Sequence, residues 1–466
     1  MDTLTKTLAT ICGADNIQTG AAVAGEYRRD FLGEYNGMPR AVVFPQNEGQ
    51  VAKIVRACFD SHTPVVARGG NTGYAAAAVA EGEGKAVMIA MKKMRAIIKV
   101  DKRNRTLTAE AGCILEDARQ AAAAAGLLFP LVLGAKGSCQ LGGNLATNAG
   151  GLNVLRYGNC RDLCLGLRAV LPNGDIIGAL SGLRKDNSGY DLRHLLIGSE
   201  GTLGIITSAV FKLFSSPAAS GCAFCRVASA NAAMDFFDMC RADLGDRLHA
   251  FELMPRLLFD LLAEHLPQIR PPFDNAPDYA VLFEFGAEDD AKAQAETEKL
   301  LARAMERGVI EDAVPAQNEA MRLAFWHARE ATPEATKKAG KWIKMDVSLP
   351  ISQLALFITT LEAQLPKISA GRYVIAFGHL GDGNLHISAM PDKKDDKTAA
   401  AICAEVYERV HRYGGSFSAE HGIGQSKTAL LRQYKDAASV AAMRAVKNAL
   451  DPRGIMNPGK VLATTE

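Results

Sequence analysis

Long apolar runs are missing from this 466-residue chain; none approaches the ~20 residues that a membrane-spanning helix needs. Charge of one sign is not in excess either. A formal net charge of +2 argues against a nucleic-acid binder, whose phosphate contacts usually demand a basic face. Basic pairs such as Lys92-Lys93 and Lys337-Lys338 are short, carry no interleaved aromatics and read as solvated surface. The ten cysteines form no CxxC pair. Cys58, Cys222, Cys240 and Cys403 lie in apolar or helical runs, where a free thiol behaves as a small buried hydrophobe. That argues for a reducing compartment rather than a disulfide framework. Met1 to Gly13 lacks a signal-peptide core and the arginine bias of a transit peptide, so the expected location is cytoplasmic. No short-period repeat occurs, and no low-complexity tract beyond the alanines 121–125. What is present is an ordinary globular composition, 48% hydrophobic and 22% charged, with length for at least two domains.

Periodicity divides the chain. Val51, Ile54, Val55 and Cys58 recur at helical spacing and predict a helix over 46–60. Strands are expected at 64–67, 86–90, 106–111, near 165–180 and at 201–214, with a helix at 114–125 stopped by Gly126. Ser215-Ser216-Pro217 marks a boundary. Beyond it, strands are expected at 222–228, 249–254, 279–285, 344–349, 372–377 and 385–389. Helices are expected at 231–243, 290–307, 351–364, 395–412 and 437–450. The alternation predicts an α+β sheet covered by helices on one side.

Four glycine-dense loops crowd the first half: RGGNTG (68–73), GAKGSCQLGGN (134–144), NAGG (148–151) and GSEGTLG (198–204). Glycine lets a backbone adopt positive φ and approach a ligand closely, so exposed amides can cradle phosphate oxygens. None of the loops is a GxGxxG fingerprint or a GxxxxGKS P-loop. Their number, and the interleaved Ser138, Asn144, Thr147 and Asn148, point to an extended cofactor rather than to turns alone.

The succession RGGNTG, LGAKGSCQLGGNLATNAGG, RYGN (156–159) and RKDNSGYDLRHLLIGSEGTLGIIT (184–207) resembles the FAD-binding domain of the vanillyl-alcohol oxidase/p-cresol methylhydroxylase superfamily (PCMH/VAO type). It is most like the D-2-hydroxyglutarate and D-lactate dehydrogenase branch, from about residue 38 to the C-terminus. The resemblance implies an FAD-binding domain at 1–217, an α+β substrate (cap) domain with an antiparallel sheet at 218–418, and a helical C-terminal segment, 419–466, returning to the flavin. It places Arg68, Gly69, Gly70, Asn71, Thr72 and Gly73 over the FAD pyrophosphate. Lys136, Gly137, Ser138, Gly142, Gly143 and Asn144 line flavin and phosphates, with Thr147, Asn148 and Gly150 behind them. Tyr157, Gly158, Asn187, Gly189, Tyr190, Glu200, Gly201 and Ile205 hold the rest, and Asn457 reaches back from the C-terminal tail. Relatives with covalent flavin carry histidine where this chain has Asn71, so the implied FAD is non-covalent.

The second constellation is HLGDGNLH, bracketed by His379 and His386, followed by Glu420-His421 in SAEHGIG. Two imidazoles on either side of a Gly-Asp-Gly-Asn turn face each other if a hairpin closes there, and a distant glutamate would complete a three-ligand site with an open position. Two hydrogen-bonded core histidines and a salt bridge would use the same residues, and spacing alone leaves both readings open. By resemblance, HxGDGNxH and EHG are the metal motifs of the dehydrogenase branch. His379, His386 and Glu420 then map to ligands of a divalent ion, Zn²⁺ first, and His421 to the base. Glu420 and His421 must sit where the chain turns, because neighbours in an extended segment face opposite ways.

Arg329, in WHAR, and Lys344, in KWIKMDVSLP, match substrate positions of the family. Lys344, Asp346 and Ser348 alternate with Met345, Val347 and Leu349, which puts Lys344 on a polar face. Pro333 stands where D-2-hydroxyglutarate dehydrogenases have a substrate-binding threonine, with Thr332 adjacent, and Ser388 where they have asparagine. The implied activity is oxidation of a D-2-hydroxy acid, D-2-hydroxyglutarate first, with D-lactate or a broad range of D-2-hydroxy acids as the alternative. The acceptor would be an electron-transfer flavoprotein or a quinone. An oxidase using O₂ and a flavin-binding subunit without chemistry are the remaining readings, and a homodimer is left open.

Overall fold

The computed structural model describes residues 2–82 and 84–463. Two units emerge: Met1–Gly151, Gly158–Ser216 and Glu420–Glu466 form the first, and Leu152–Tyr157 with Pro217–Ala419 the second. The C-terminal segment is thus part of the first unit, while the six residues 152–157, expected in the FAD domain, belong to the second.

The first unit holds two sheets. One contains β1 (Ile17–Thr19), β2 (Ala41–Val43), β3 (Val65–Arg68) and β4 (Val87–Ala90) in the order β1-β2-β4-β3. Strands β2, β4 and β3 run parallel, and β2 and β4 are buried at every residue, as parallel strands covered on both faces require. Val42, Val66 and Met88 pack with Val23, Tyr27 and Phe44. The helix Glu48–Asp60 is capped by Asn47, whose side chain accepts the Gln50 N–H at 3.0 Å, and it buries the four residues that predicted it.

The other sheet is antiparallel: β5 (Ile97–Asp101), β6 (Thr106–Glu110), β7 (Cys164–Val170), β8 (Ile176–Ala179) and β9 (Ile205–Lys212), ordered β5-β6-β9-β7-β8. The expected strand 201–214 starts only at Ile205, because Gly201 turns the chain at φ +75°.

The second unit is built on one seven-stranded antiparallel sheet of β10 (Ala219–Val227), β11 (Leu248–Pro255), β12 (Tyr279–Ala287), β13 (Asp312–Pro315), β14 (Ile343–Ser348), β15 (Gly371–His379) and β16 (Asn384–Pro391). Their order is β13-β10-β12-β11-β15-β16-β14. Helices cover both faces, not one as expected. Ala250, Met254 and Leu282 join Leu258, Phe259, Phe325 and Trp326 in one core. The intervening Phe251 and Phe283 meet Phe236 of the helix Ala230–Leu244. Alternate strand residues point to opposite faces, and β11 is buried along its whole length, so neither side can be left to water. Among the described residues no helix is long and apolar enough to cross a membrane.

Candidate functional site

The glycine loops of the first unit meet at the C-terminal end of β3. A Cβ on Gly70 would lie 2.1 Å from the Ser138 carbonyl oxygen, and one on Gly142 2.6 Å from the Ala111 methyl. Only glycine lets these backbones touch. Gly73, Gly137 and Gly143 are the opposite case, since a Cβ there would meet nothing within 4 Å. The loops are therefore packed on one side and open on the other.

Three non-glycine residues of these loops, and one of the C-terminal tail, take positive φ. Asn71, Asn148, Glu200 and Asn457 all have φ between +41° and +54°, a region that costs non-glycine residues energy and clusters at ligand sites. Two of them, Glu200 and Asn457, are tied to each other. Asn457 takes its N–H to the Val65 carbonyl at 2.8 Å and its Nδ2 to the Glu200 carbonyl at 2.7 Å. The Glu200 N–H reaches Ala146, and Asn148 Oδ1 accepts the Arg161 N–H at 2.9 Å. Two buried acceptors, Gln140 Oε1 and Asn457 Oδ1, have no hydrogen-bond partner among the described residues. Buried polar atoms are rarely left so. An open glycine cradle with unpartnered buried acceptors fits a cofactor carrying phosphates and ring N–H groups, as FAD does.

Other expected residues have local duties. The Arg68 guanidinium is buried and donates to the carbonyls of Glu26, Arg29 and Ala78, which makes it a strut. The Glu200 carboxylate accepts the N–H groups of Ile423 and Gly424 at 2.7 and 2.8 Å; burial still pushes its pKa up. Gly158 turns the chain against Asp162, and Ile205 is core at the start of β9. Lys136 gives its carbonyl to the Glu116 N–H, and Thr147 ends the short helix Leu141–Ala146. Gly150 adjoins Gly151, whose N–H goes to Glu420 Oε1 at 2.6 Å. Asn187 lies on an exposed stretch with Tyr190, which is 97% exposed. Tyr157 belongs to the second unit, its ring 5.9 Å from His249.

In the second unit HLGDGNLH closes the hairpin that the sequence suggested. Strand β15 ends on His379, a short turn passes through Gly383 at φ +86°, and β16 carries His386 back. Their rings are T-shaped with centroids 5.5 Å apart, and a nitrogen of each lies within 4.8 Å of the other. Each histidine turns Nδ1 toward a buried carboxylate. His379 Nδ1 is 2.6 Å from Glu252 Oε1, and His386 Nδ1 is 3.5 Å from Asp346 Oδ1. Glu252 in turn holds Arg329, with Nε and Nη2 each 2.7 Å from Oε2. Burial alone would raise the Glu252 pKa, but the charges and hydrogen bonds of Arg329 and His379 outweigh it and hold the carboxyl down to about 2. Asn384 Nδ2 fixes Asp346 at 2.8 Å.

Glu252 and Asp346 were not singled out as site residues in the sequence. Arg329 was, but as a substrate cation; here it is buried, paired with Glu252 and stacked 4.5 Å over Phe377. Thr332 is also committed, its hydroxyl donating to the Arg329 carbonyl at 2.8 Å. Lys344 and Ser388 face each other across β14 and β16. The Ala419 N–H meets the Asp346 carbonyl at 3.4 Å. Gly422 and Gly424, at φ +75° and +50°, supply the expected turn, and His421 stacks on Tyr74 at 4.6 Å.

A sequence model described as an FAD binding domain matches residues 39–179, and one described as the C-terminal domain of FAD linked oxidases matches 216–461. The mitochondrial D-2-hydroxyglutarate dehydrogenase of Arabidopsis thaliana is 37% identical over 93% of this chain and 77% of its own length. The D-2-hydroxyglutarate dehydrogenase of Xanthomonas citri is 36% identical over 96% and 94%. A putative mitochondrial D-lactate dehydrogenase of Schizosaccharomyces pombe is 36% identical over 95% and 85%. The solved structure of p-cresol methylhydroxylase with substrate bound is similar with a TM-score of 0.74 at 15% identity, over 99% of this chain and 96% of that one. At that identity the likeness concerns the fold alone.

Proposed function

The chain belongs to the FAD-linked oxidases, on the branch of the D-2-hydroxyglutarate and D-lactate dehydrogenases, and from that premise we propose that it oxidises a D-2-hydroxy acid to the 2-oxo acid. One observation carries the reading: two facing histidines, each with Nδ1 directed at a buried carboxylate. Such carboxylate–histidine pairs fix the tautomer that offers Nε2 to a metal ion, and raise its basicity. Isolated core histidines need no such matched pair.

Bound FAD supplies a hydride acceptor for the carbon that carries the hydroxyl. A divalent ion held by His379, His386 and Glu420, Zn²⁺ first, would lend Lewis acidity toward that hydroxyl. The chain itself must then take the hydroxyl proton. His421 is the base in this proposal, since a neutral imidazole nitrogen can accept a proton. Glu252 and Asp346 keep the two ligand rings oriented, and Arg329 keeps Glu252 ionised. The relatives' names favour D-2-hydroxyglutarate as substrate. The commitment of Arg329 and Thr332 inside the protein removes two expected anion contacts, which keeps D-lactate or a broad range of D-2-hydroxy acids as the second reading. An electron-transfer flavoprotein or a quinone is the proposed acceptor.

The test is anaerobic mixing of the FAD-loaded protein with D- and L-2-hydroxy acids while following flavin absorbance. D-isomers should bleach the flavin and L-isomers should not. A flavin that no D-2-hydroxy acid reduces would defeat the proposal.

A further inference from the structure

The turn that carries His421 has contacts that proton transfer alone does not call for. The His421 ring stacks on Tyr74, with centroids 4.6 Å apart and planes 22° from parallel. Phe31 meets Tyr74 in turn, T-shaped at 5.6 Å and 71°. Three rings from three distant segments of the first unit thus stand in series. Each stands on a fixed backbone. Phe31 lies in a tight turn held by Asp30, whose carboxylate accepts the Tyr35 N–H at 2.9 Å and the Leu32 N–H at 3.3 Å. Tyr74 directly follows the glycine loop 68–73, and the residues after it are zipped to the His421 turn. The Ala75 carbonyl accepts the Gln425 N–H at 3.0 Å, and the Ala76 carbonyl accepts Gln425 Nε2 at 3.1 Å. A Cβ on Gly424 would lie 1.8 Å from the same Ala75 oxygen, so only glycine permits this approach. Core packing does not account for the rings, because Tyr74 is 40% and Phe31 52% exposed. Large apolar groups left open together mark a use other than burial.

We infer that Tyr74, backed by Phe31, is a positioning residue for His421 and acts through its ring face rather than its hydroxyl. An imidazole nitrogen accepts a proton in the plane of its ring, and the torsion that turns this plane is broad when nothing packs on it. A stacked aromatic partner narrows that torsion, and an edge-on ring from Phe31 limits the rotation of the partner itself. The contact lies between ring faces, so a phenylalanine at 74 would make it as well as tyrosine does, whereas an aliphatic side chain would not. Because Tyr74 adjoins the glycine loop, the same short segment that borders the cofactor cradle also sets the plane of the base. The inference rests on the reading of His421 as the group that takes the hydroxyl proton.

The experiment compares FAD-loaded parent, Tyr74→Phe, Tyr74→Leu and, as a neighbouring control, Leu32→Ala. Flavin content per protein is measured first, followed by anaerobic flavin reduction over a range of D-2-hydroxyglutarate and D-lactate concentrations. In parallel, the Cε1 proton of His421 is followed by NMR in histidine-labelled protein, assigned by its disappearance in His421→Ala. In Tyr74→Leu the limiting rate of reduction should fall about ten- to a hundredfold, with the half-saturating concentration little changed. The His421 resonance should lose the ring-current shift of the stack in the same variant. Tyr74→Phe should recover most of the rate and the shift, and Leu32→Ala should resemble the parent. Reduction as fast in Tyr74→Leu as in the parent overturns the positioning role while leaving the reaction class standing. So does a Tyr74→Phe as slow as Tyr74→Leu, or a loss of rate matched by loss of FAD. A parent that no hydroxy acid reduces, yet whose His421 resonance moves in Tyr74→Leu and not in Tyr74→Phe, supports the positioning and overturns the reaction.

Discussion

Replacing Glu252 by Gln removes one negative charge from a site where two buried groups depend on it. In the parent, Glu252 is 1% exposed and lies 2.6 Å from His379 and 2.7 Å from Arg329. Its pKa falls from 4.5 to about 2 on folding, which corresponds to roughly 3 kcal/mol of stabilisation at neutral pH. Leaving Arg329 buried without its partner costs about 3–5 kcal/mol by an independent route. The two figures overlap, and at about 2–4 °C per kcal/mol for a unit of this size the melting temperature should drop by roughly 6–12 °C. A carboxyl whose pKa is lowered on folding stabilises above its unfolded value, and that contribution drains away as pH falls toward 2. The parent should therefore lose stability between about pH 5 and pH 2 more steeply than Glu252→Gln, with the curves converging at the acid end. Metal affinity should fall about 10–100-fold, because the amide no longer fixes the His379 tautomer. Denaturant melts across that pH range, with metal titrations at neutral pH, are the assay. A variant within about 1 kcal/mol of the parent at pH 7 would show that the pair does not hold the sheet.

Three further outcomes follow from the two units. Acid precipitation should leave a colourless pellet and a yellow supernatant, because Asn71 cannot make the covalent flavin link; a pellet that stays yellow contradicts this. Gly143→Val should fold normally but lose flavin, since its side chain projects into the open side of the cradle, whereas Gly142→Val should destabilise the fold against Ala111; equal flavin content in Gly143→Val and parent refutes the cradle. His421→Ala should slow flavin reduction by ~10²–10⁴-fold with FAD retained, and an unchanged rate removes the base.

Local chemistry made the hairpin at 379–386 legible, because Gly383 at φ +86° and its neighbours encode the turn in consecutive residues. The glycine cradle was legible for the same reason. Glu252 was not: it lies 127 residues from His379 on a strand whose apolar pattern shows only burial. Its meaning depends on the register that pairs Glu252 with His379 across β11 and β15, which no local signal carries. The Arg329 pairing was hidden by the same gap, since a buried arginine and a substrate-facing one look alike until the partner is known. The helix Glu319–Glu330 escaped notice although Asn318 caps it. The N-terminal helix Thr3–Cys12, capped by Asp2, was passed over in the same way. Covering both faces of the seven-stranded sheet was foreseeable from β11 and β12, whose sequences are apolar on both alternations, against the single-sided reading.

Metal-assisted oxidation of a D-2-hydroxy acid by bound FAD is the proposed reaction. Its most direct test is the rate of anaerobic flavin reduction by D-2-hydroxyglutarate in protein stripped with a chelator and then restored with Zn²⁺ or Mn²⁺. Reduction should be lost in the stripped protein while the flavin spectrum persists, and should return with the metal. Full-speed reduction in metal-free protein, or equal reduction by the L-isomer, would contradict the account.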